Sequence, residues 1–267
     1  MYVVSLALSV ELAVPVVVMF VAAVYDYRTR TIPDVCWAVM CAICVPMSAV
    51  TAGSTLDSIV LLAGGIPLCA YMFSSHPVCN LAIPLSAVYA IPLLSGEIGS
   101  DPMAIAAVPV VYWTFVLFYR MELLPGGADA KSLMSLTLAV PGIVTGHIFP
   151  MSMSIVLIAL ATSALYGFRW ALENYRKGRV YAGMFNEVRR DPEAARDGFY
   201  WYLEDAPDGV PARCGRTDDR GCVDRLVAAG ATDVLCSPMI PFLVPLAFAT
   251  VVVLAAVPAS VMGPLWP

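Results

Sequence analysis

Two short polar strings, about a hundred residues apart, each carry an aspartate beside a long apolar run. The first string occupies residues 25–34 and contains Asp26, and the second occupies residues 126–131 and contains Asp129. A carboxylate is costly in a bilayer, so an aspartate at a helix end that faces protein indicates a functional site. Two aspartates at one membrane depth can form a pair that shares one proton.

Such a pair predicts a specific hydrolytic chemistry. One carboxyl group can take a proton from water while the other gives a proton to a carbonyl, which cleaves a peptide without a covalent intermediate. No Gly-x-Ser-x-Gly, Cys–His or His-Glu-x-x-His arrangement in the sequence supports another mechanism. Two simpler interpretations stay open, with Asp129 as a helix N-cap and Asp26 as an interface anchor paired with Arg28 or Arg30.

The composition predicts that these aspartates belong to a membrane protein. Of the 267 residues, 60% are hydrophobic and 13% are charged, whereas a soluble domain carries about 25% charged residues. We therefore predict an all-α polytopic membrane protein with about eight transmembrane helices. The apolar runs that predict them are 3–25, 36–52, 57–73, 79–95, 103–119, 132–149, 152–168 and 238–258.

The basic residues predict the orientation of these helices. With eight spans, all fifteen Lys and Arg residues fall on one side, and the opposite loops carry Asp57, Glu97 and Asp101 without a base. The positive-inside rule assigns the basic side to the cytoplasm. We therefore expect a multi-pass protein of the cell membrane, with Asp26 and Asp129 at the cytoplasmic face and both termini outside.

The most highly charged segment, residues 169–237, predicts a small cytoplasmic α/β domain. It divides a transmembrane bundle of about seven helices at 1–168 from a final transmembrane helix at 238–267. The mixed charges of residues 186–203 favour a helix with a solvated face. A short helix near 222–229 and a short extended piece near 232–236 are expected to follow.

The cysteines do not predict a metal site. Cys41 and Cys44 are separated by two residues, but they lie within an apolar run, where free cysteine behaves as a small hydrophobe. Cys214, Cys222 and Cys236 lack the paired spacing of metal ligands. We predict neither a metal nor a cofactor.

The polar strings resemble the signature regions of a known family. Residues 25–34, which end in Ile32, Pro33 and Asp34, and residues 126–131 look like the two motifs of type IV prepilin peptidases. These enzymes are membrane aspartic peptidases of the Gly-x-Gly-Asp group. Residues 238–245 and the polar domain before the last helix look like the archaeal branch, the preflagellin (prearchaellin) peptidases.

The resemblance implies roles for individual residues. The two motif aspartates of the family are catalytic, and they correspond to Asp26 and Asp129. Gly126, Gly127 and Ala128 would let the substrate backbone approach, since glycine permits close contact. The implied substrates are precursors of archaellins and pilins, which are cut on the cytoplasmic side between a short basic leader and a hydrophobic helix.

Three features depart from the family pattern. Ala128 replaces the second motif glycine, Asp34 stands where asparagine is common, and four predicted spans separate the two aspartates where two are usual. Bacterial relatives often carry paired Cys-x-x-Cys motifs and also methylate the new amino terminus. This chain lacks those motifs, so we do not predict a methyltransferase.

We therefore predict a membrane aspartic endopeptidase that removes leader (class III signal) peptides from archaellin or type IV pilin precursors. Its partners would be these precursors and the lipid bilayer, with no nucleic acid. Glu122, four residues before Gly126, is expected to help attract the basic leader. The alternatives are a transporter or channel whose carboxylates bind cations or protons, and a non-catalytic assembly subunit. The sequence specifies neither the particular precursor nor an oligomeric state.

Overall fold

The computed structural model describes residues 2–52, 54–74, 76–95, 102–124, 126–141, 150–181 and 183–256. The chain divides into two compact units, which we call the membrane unit (Met1–Leu160 with Pro241–Pro267) and the polar unit (Ala161–Ile240). The boundaries predicted from the sequence, at residues 168 and 237, lie within eight residues of these divisions.

The elements follow one another along the chain from the membrane unit into the polar unit and back. The first is a long helix, and two 3₁₀ segments, Pro77–Leu81 and Ser86–Ala90, flank the fourth. The helices and strands are α1 (Tyr2–Thr29), α2 (Val35–Thr51), α3 (Thr55–Phe73), α4 (Ala82–Leu85), α5 (Ile91–Ser95), α6 (Pro102–Arg120), α7 (Gly127–Ala139), α8 (Met151–Arg176), β1 (Val188–Arg190), α9 (Pro192–Asp197), β2 (Tyr200–Asp205), β3 (Ala212–Thr217), α10 (Gly221–Ala228), β4 (Val234–Pro238) and α11 (Leu243–Ala255).

Several of these helices can cross a membrane, so the chain is a helical, membrane-associated protein. Among the described residues, α2 and α11 are apolar but shorter than a full span. The count of about eight spans stays a prediction, because part of the run 132–149 lies outside the described residues. The five segments that are long and apolar enough are Leu6–Thr29, Thr55–Phe73, Pro77–Ser95, Pro102–Arg120 and Met151–Arg176.

Large aromatic side chains fill the interior of the membrane unit. Three of them are almost completely buried: Trp37 in α2, Tyr89 in the 3₁₀ segment Ser86–Ala90, and Tyr112 in α6. The ring of Tyr89 packs so closely on Gly64 of α3 that a Cβ atom at residue 64 would overlap it. The hydroxyl of Tyr112 donates a hydrogen bond to the carbonyl of Leu68 at 2.8 Å. Close packing and interhelical hydrogen bonds of this kind hold helices together where lipid removes the hydrophobic drive.

A buried carboxylate also joins the first two helices. Glu11 of α1 accepts hydrogen bonds from the hydroxyls of Ser48 at 2.9 Å and Thr51 at 2.8 Å, both on α2. Glu11 lies fifteen residues before Asp26 on α1, which is about 22 Å along a helix. These hydroxyls provide the partners that a carboxyl group needs inside a bilayer.

The polar unit contains a four-stranded sheet with the strand order β1-β4-β2-β3, and every pairing is antiparallel. Cys236 of β4 lies opposite Val188 on one side and Tyr202 on the other. The hydroxyl of Tyr202 donates to the carbonyl of Ala195 in α9 at 3.0 Å. The small core of this unit includes Val188, Ala195, Tyr202, Cys222, Val223, Leu226, Val234 and Cys236.

The predicted helix over residues 186–203 is wrong, because this segment forms β1, α9 and β2. Pro192 begins α9, and the Asp191 carboxylate caps it by accepting from the N–H of Glu193 at 3.0 Å. The helix ends at Gly198, where a Cβ atom would overlap the ring of Tyr200. Local capping therefore restricts the helix to six residues.

Charged residues of this segment form ion pairs within the sheet and do not form the solvated face of a helix. Arg189 of β1 contacts Glu204 of β2 at 2.8 Å and Asp233, just before β4, at 2.7 Å. The contact with Glu204 crosses the sheet, since β4 lies between β1 and β2. Opposite charges stabilise a sheet as they do a helix, so a charge pattern alone does not distinguish the two. The short helix and the extended piece predicted farther along the chain are confirmed as α10 and β4.

Candidate active site

Asp26 lies in the last turn of α1, where the helix ends for local reasons. The hydroxyl oxygen of Thr29 lies 2.9 Å from the carbonyl oxygen of Tyr25 and 3.0 Å from that of Thr31, and its one proton is donated to either carbonyl. Arg30 then adopts a left-handed conformation with φ 57°, and its N–H donates to the carbonyl of Asp26 at 3.2 Å. The chain turns immediately after the aspartate, so Asp26 is held at a helix end.

The carboxylate of Asp26 is buried, and contacts from two directions fix it. Its Oδ2 atom accepts a hydrogen bond from the N–H of Leu243, the first residue of α11, at 3.0 Å. Its Oδ1 atom lies 3.6 Å from Nη1 of Arg30. A negative charge at a helix amino end is favourable because the N–H groups there have no partner in the helix. The predicted pairing with Arg30 is present, and Asp26 also contacts the first residue of α11.

Asp129 lies in the first turn of α7, and a glycine makes room for its side chain. The N-cap residue of α7 is Gly126, in an extended conformation, and no side chain caps the helix. The simpler interpretation of Asp129 as the N-cap is therefore wrong. A Cβ atom at residue 126 would overlap the carboxylate of Asp129. Gly126 thus has a structural reason to be glycine, because its Cα leaves the space that this carboxylate occupies.

The two aspartates interact electrostatically. Asp129 precedes the run 132–149 and lies outside the five candidate spans. Burial raises the pKa of Asp129 to about 7, the negative charge of Asp26 adds to that rise, and the positive charge of Arg30 opposes it. The helices that carry the two aspartates, α1 and α7, are in contact. At neutral pH, Asp129 is therefore a carboxyl group that can hold or release a proton.

An ion pair joins the start of α2 to the first turns of α7, the helix that carries Asp129. Nζ of Lys131 lies 2.7 Å from both carboxylate oxygens of Asp34, the residue that precedes α2. The Asp34 side chain is 57% exposed, so solvent screens the pair, and an exposed pair is worth about 0–1 kcal/mol. Asp34 thus helps to position the start of α7 from outside the carboxylate pair.

The other predicted site residues occupy different environments. Gly127 begins α7, and a Cβ atom there would lie 3.6 Å from the hydroxyl oxygen of Tyr119, an ordinary contact. Ala128 is partly buried against the apolar core. Glu122 is exposed in the turn after α6, in a left-handed conformation with φ 59°. No contact among the described residues joins Glu122 to either aspartate, so its role in leader binding stays a prediction.

Within the described ranges, no three His, Cys, Asp or Glu side chains converge as a metal site requires. Comparison with known proteins assigns no family, since no family model matches the chain and no curated protein matches it. The resemblance to the prepilin peptidases therefore rests on the motif residues themselves. Leu243, whose N–H donates to Asp26, begins α11 and lies within residues 238–245.

The close approach of the Asp129 carboxylate to Gly126 can be tested by substitution. Gly126→Ala should displace the Asp129 carboxylate, whereas Gly127→Ala meets only an ordinary contact. A displacement of about 1 Å at a reacting group can cost about 100-fold in rate. On the peptidase function proposed below, we expect Gly126→Ala to lower kcat for cleavage of a tagged archaellin or pilin precursor by about that factor. Gly127→Ala leaves Asp129 in place, so its effect on the approach of the substrate backbone should appear in KM and not in kcat. Wild-type cleavage by Gly126→Ala would show that Asp129 does not need this space.

Proposed function

We propose that this protein is a membrane aspartic endopeptidase that removes leader peptides from archaellin or type IV pilin precursors, with Asp26 and Asp129 as its catalytic residues. One observation carries the proposal. Two motif aspartates that are 103 residues apart in sequence lie at the end of α1 and the start of α7, two helices in contact, and the negative charge of Asp26 adds to the rise in the pKa of Asp129. Aspartic peptidases use a pair of carboxyl groups that share one proton as their catalytic groups.

The proposed reaction assigns a different role to each carboxyl group. Asp129 holds the shared proton and donates it to the carbonyl oxygen of the scissile peptide. Asp26 is ionised and takes a proton from the water that attacks the carbonyl carbon. The tetrahedral gem-diol intermediate then collapses: the C–N bond breaks and the proton on Asp26 passes to the leaving amine. One hydroxyl of the diol gives its proton back to Asp129, which leaves the carboxylic acid product and restores the starting pair. The N–H of Leu243 holds the Asp26 carboxylate in one orientation throughout this sequence.

The membrane arrangement and the substrate path form the finer part of the proposal. About eight spans, with both termini outside, would place the aspartates, Arg120 and Lys131 at the cytoplasmic face of the cell membrane. The apolar helix of the precursor would lie in the bilayer with its cleavage site at that face. Gly127 and Ala128 would border the substrate backbone, and Glu122 would attract the basic leader by a screened contact worth at most about 1 kcal/mol.

Substitution of each aspartate tests the proposal most simply. Asp26→Asn and Asp129→Asn keep the size of the side chain but remove the shared proton, so each should lower precursor cleavage by about 1,000-fold or more. Asp34→Asn is the matched control, because it removes a carboxylate from the exposed bridge to Lys131 and should keep most activity. Cleavage is followed as a mobility shift after co-expression, with the amount of each variant in the membrane fraction measured in parallel. Efficient cleavage by either single variant would exclude this mechanism.

The pH dependence of cleavage follows from the pKa of Asp129. Its carboxyl group must be protonated to donate to the substrate, and its pKa is raised to about 7. As the pH rises through that value, the proton is lost, so kcat/KM of the purified protein should fall about tenfold per unit at higher pH. A rate that stays constant from pH 6 to about pH 9 would contradict the role of Asp129 as the proton donor.

A further inference from the structure

A cavity of about 550 Å³ opens in the membrane unit between the ends of α3 and α6 and the first turns of α7. This volume is within the range of sites that bind small molecules, about 300–1,000 Å³. Neither Asp26 nor Asp129 lines it. The wall of the cavity is buried and apolar, and it is formed by Met72, Val116 and Met134. The mouth is exposed and polar, and it is formed by Asn80, Tyr119 and Arg120.

The net charge of the cavity is positive and comes from one side chain. Lys131 also lines it, but Asp34 contacts the Lys131 ammonium with both oxygens and offsets its charge. Arg120 forms no ion pair with any described residue. Its Nη2 atom instead donates to the hydroxyl of Tyr71 at 2.7 Å, which holds the guanidinium at the mouth. Among the described residues that line the cavity, none carries a carboxylate.

The position of the cavity indicates an amphipathic ligand. α3 ends at Phe73 and α6 ends at Arg120, and both helices are long and apolar enough to cross a membrane. The mouth therefore lies where a membrane helix meets water, the depth at which tyrosine and arginine contact lipid headgroups. Leu117 and Met121, on either side of Arg120, are each more than half exposed and extend an apolar surface beside it.

We propose that this cavity binds the headgroup of an anionic phospholipid. The phosphate would accept hydrogen bonds from Arg120, and the glycerol and first acyl carbons would lie against Met72 and Val116. Guanidinium groups bind phosphate strongly, and basic clefts between transmembrane helices are typical sites for anionic lipids. Phosphate is the shared chemistry of this lipid and of free phosphate, but only the lipid also covers the apolar wall.

The bound lipid would contact the helical turn that carries Asp129. Gly127, Ala130 and Lys131 line the cavity, and all three lie within two residues of that aspartate. A lipid in this position would hold the start of α7 against α3 and α6. This inference does not depend on peptidase activity, because it concerns the binding of lipid by a surface that excludes both aspartates.

The test uses the full chain, purified in a neutral detergent. Dioleoylphosphatidylglycerol is titrated against it, with dioleoylphosphatidylcholine and inorganic phosphate as parallel probes, and binding is measured by native mass spectrometry and by the rise in Tm. We expect phosphatidylglycerol to bind and to raise Tm, with little effect of the other two. One arginine near a lipid surface is worth about 1 kcal/mol, which corresponds to about fivefold in affinity.

Arg120→Gln should therefore weaken phosphatidylglycerol binding about fivefold. Arg176→Gln is the matched control, since Arg176 is an exposed arginine at the end of α8 that does not line the cavity, and it should change binding less than twofold. Tyr71→Phe removes the hydrogen bond that orients Arg120. Tyr71→Phe should weaken phosphatidylglycerol binding about twofold. If Arg120→Gln does not fold, the binding of Tyr71→Phe tests the role of Arg120 in its place.

Four results would overturn the proposal. Equal losses in Arg120→Gln and Arg176→Gln would indicate general attraction by surface charge. Equal binding of phosphatidylcholine would remove the need for an anionic headgroup. Stabilisation by inorganic phosphate alone, as large as that by the lipid, would assign the cavity to a soluble anion. Wild-type binding by Tyr71→Phe, where Arg120→Gln does not fold, would likewise contradict the proposal.

Discussion

A carboxylate beside a bilayer must find hydrogen-bond partners within the protein, and this requirement shapes the membrane unit around Asp26. Removing such a partner from a buried polar group costs about 1–3 kcal/mol, and more for a charged group. The partners of Asp26 come from α11, through the N–H of Leu243, and from the end of α1 itself, through Arg30. The hydrogen bond therefore joins the first helix of the chain to the last described helix.

The position of the second carboxylate, that of Asp129, depends on the room left by a glycine and not on a strong hydrogen-bond partner. Gly126 leaves room for the Asp129 side chain at the start of α7, and the bridge from Lys131 to Asp34 ties the same turn to α2. Burial and the charge of Asp26 then raise the pKa of Asp129 to about 7. A carboxyl group that titrates near neutrality beside a fixed carboxylate is suited to general acid–base chemistry. The proposed peptidase mechanism uses this difference between the two residues.

The sequence predicted the helices well where apolar length alone determines them. The runs 57–73 and 103–119 correspond to α3 and α6 to within two residues. The run 79–95 is instead divided into α4, α5 and 3₁₀ segments. It contains Pro84 and Pro92, but proline alone does not explain this division, since α3 and α6 continue through Pro67 and Pro109. In the polar unit, a pattern of mixed charges predicted a helix where antiparallel strands pair.

The sequence predicted a pair formed by Asp26 and Asp129 but not the surroundings of either residue. The partner of Asp26 lies 217 residues away along the chain, and a backbone N–H has no signature in residue type. The space above Gly126 depends on the rotamer of Asp129, which a motif does not specify. The cavity at Arg120 combines three separate helices, so no local pattern could predict it. Contacts of this kind follow from tertiary packing alone.

The central claim is that Asp26 and Asp129 act on each other as a pair. The most direct test is the pH titration of the Asp129 carboxyl group by infrared spectroscopy, with its band assigned by its loss in Asp129→Asn. We predict a midpoint near pH 7 in the wild type, since the pKa is raised to about 7, and a lower midpoint in Asp26→Asn, because the neighbouring negative charge is removed. Asp34→Asn should leave the midpoint unchanged. An identical midpoint in the wild type and in Asp26→Asn would contradict the claim that the two carboxylates form a pair.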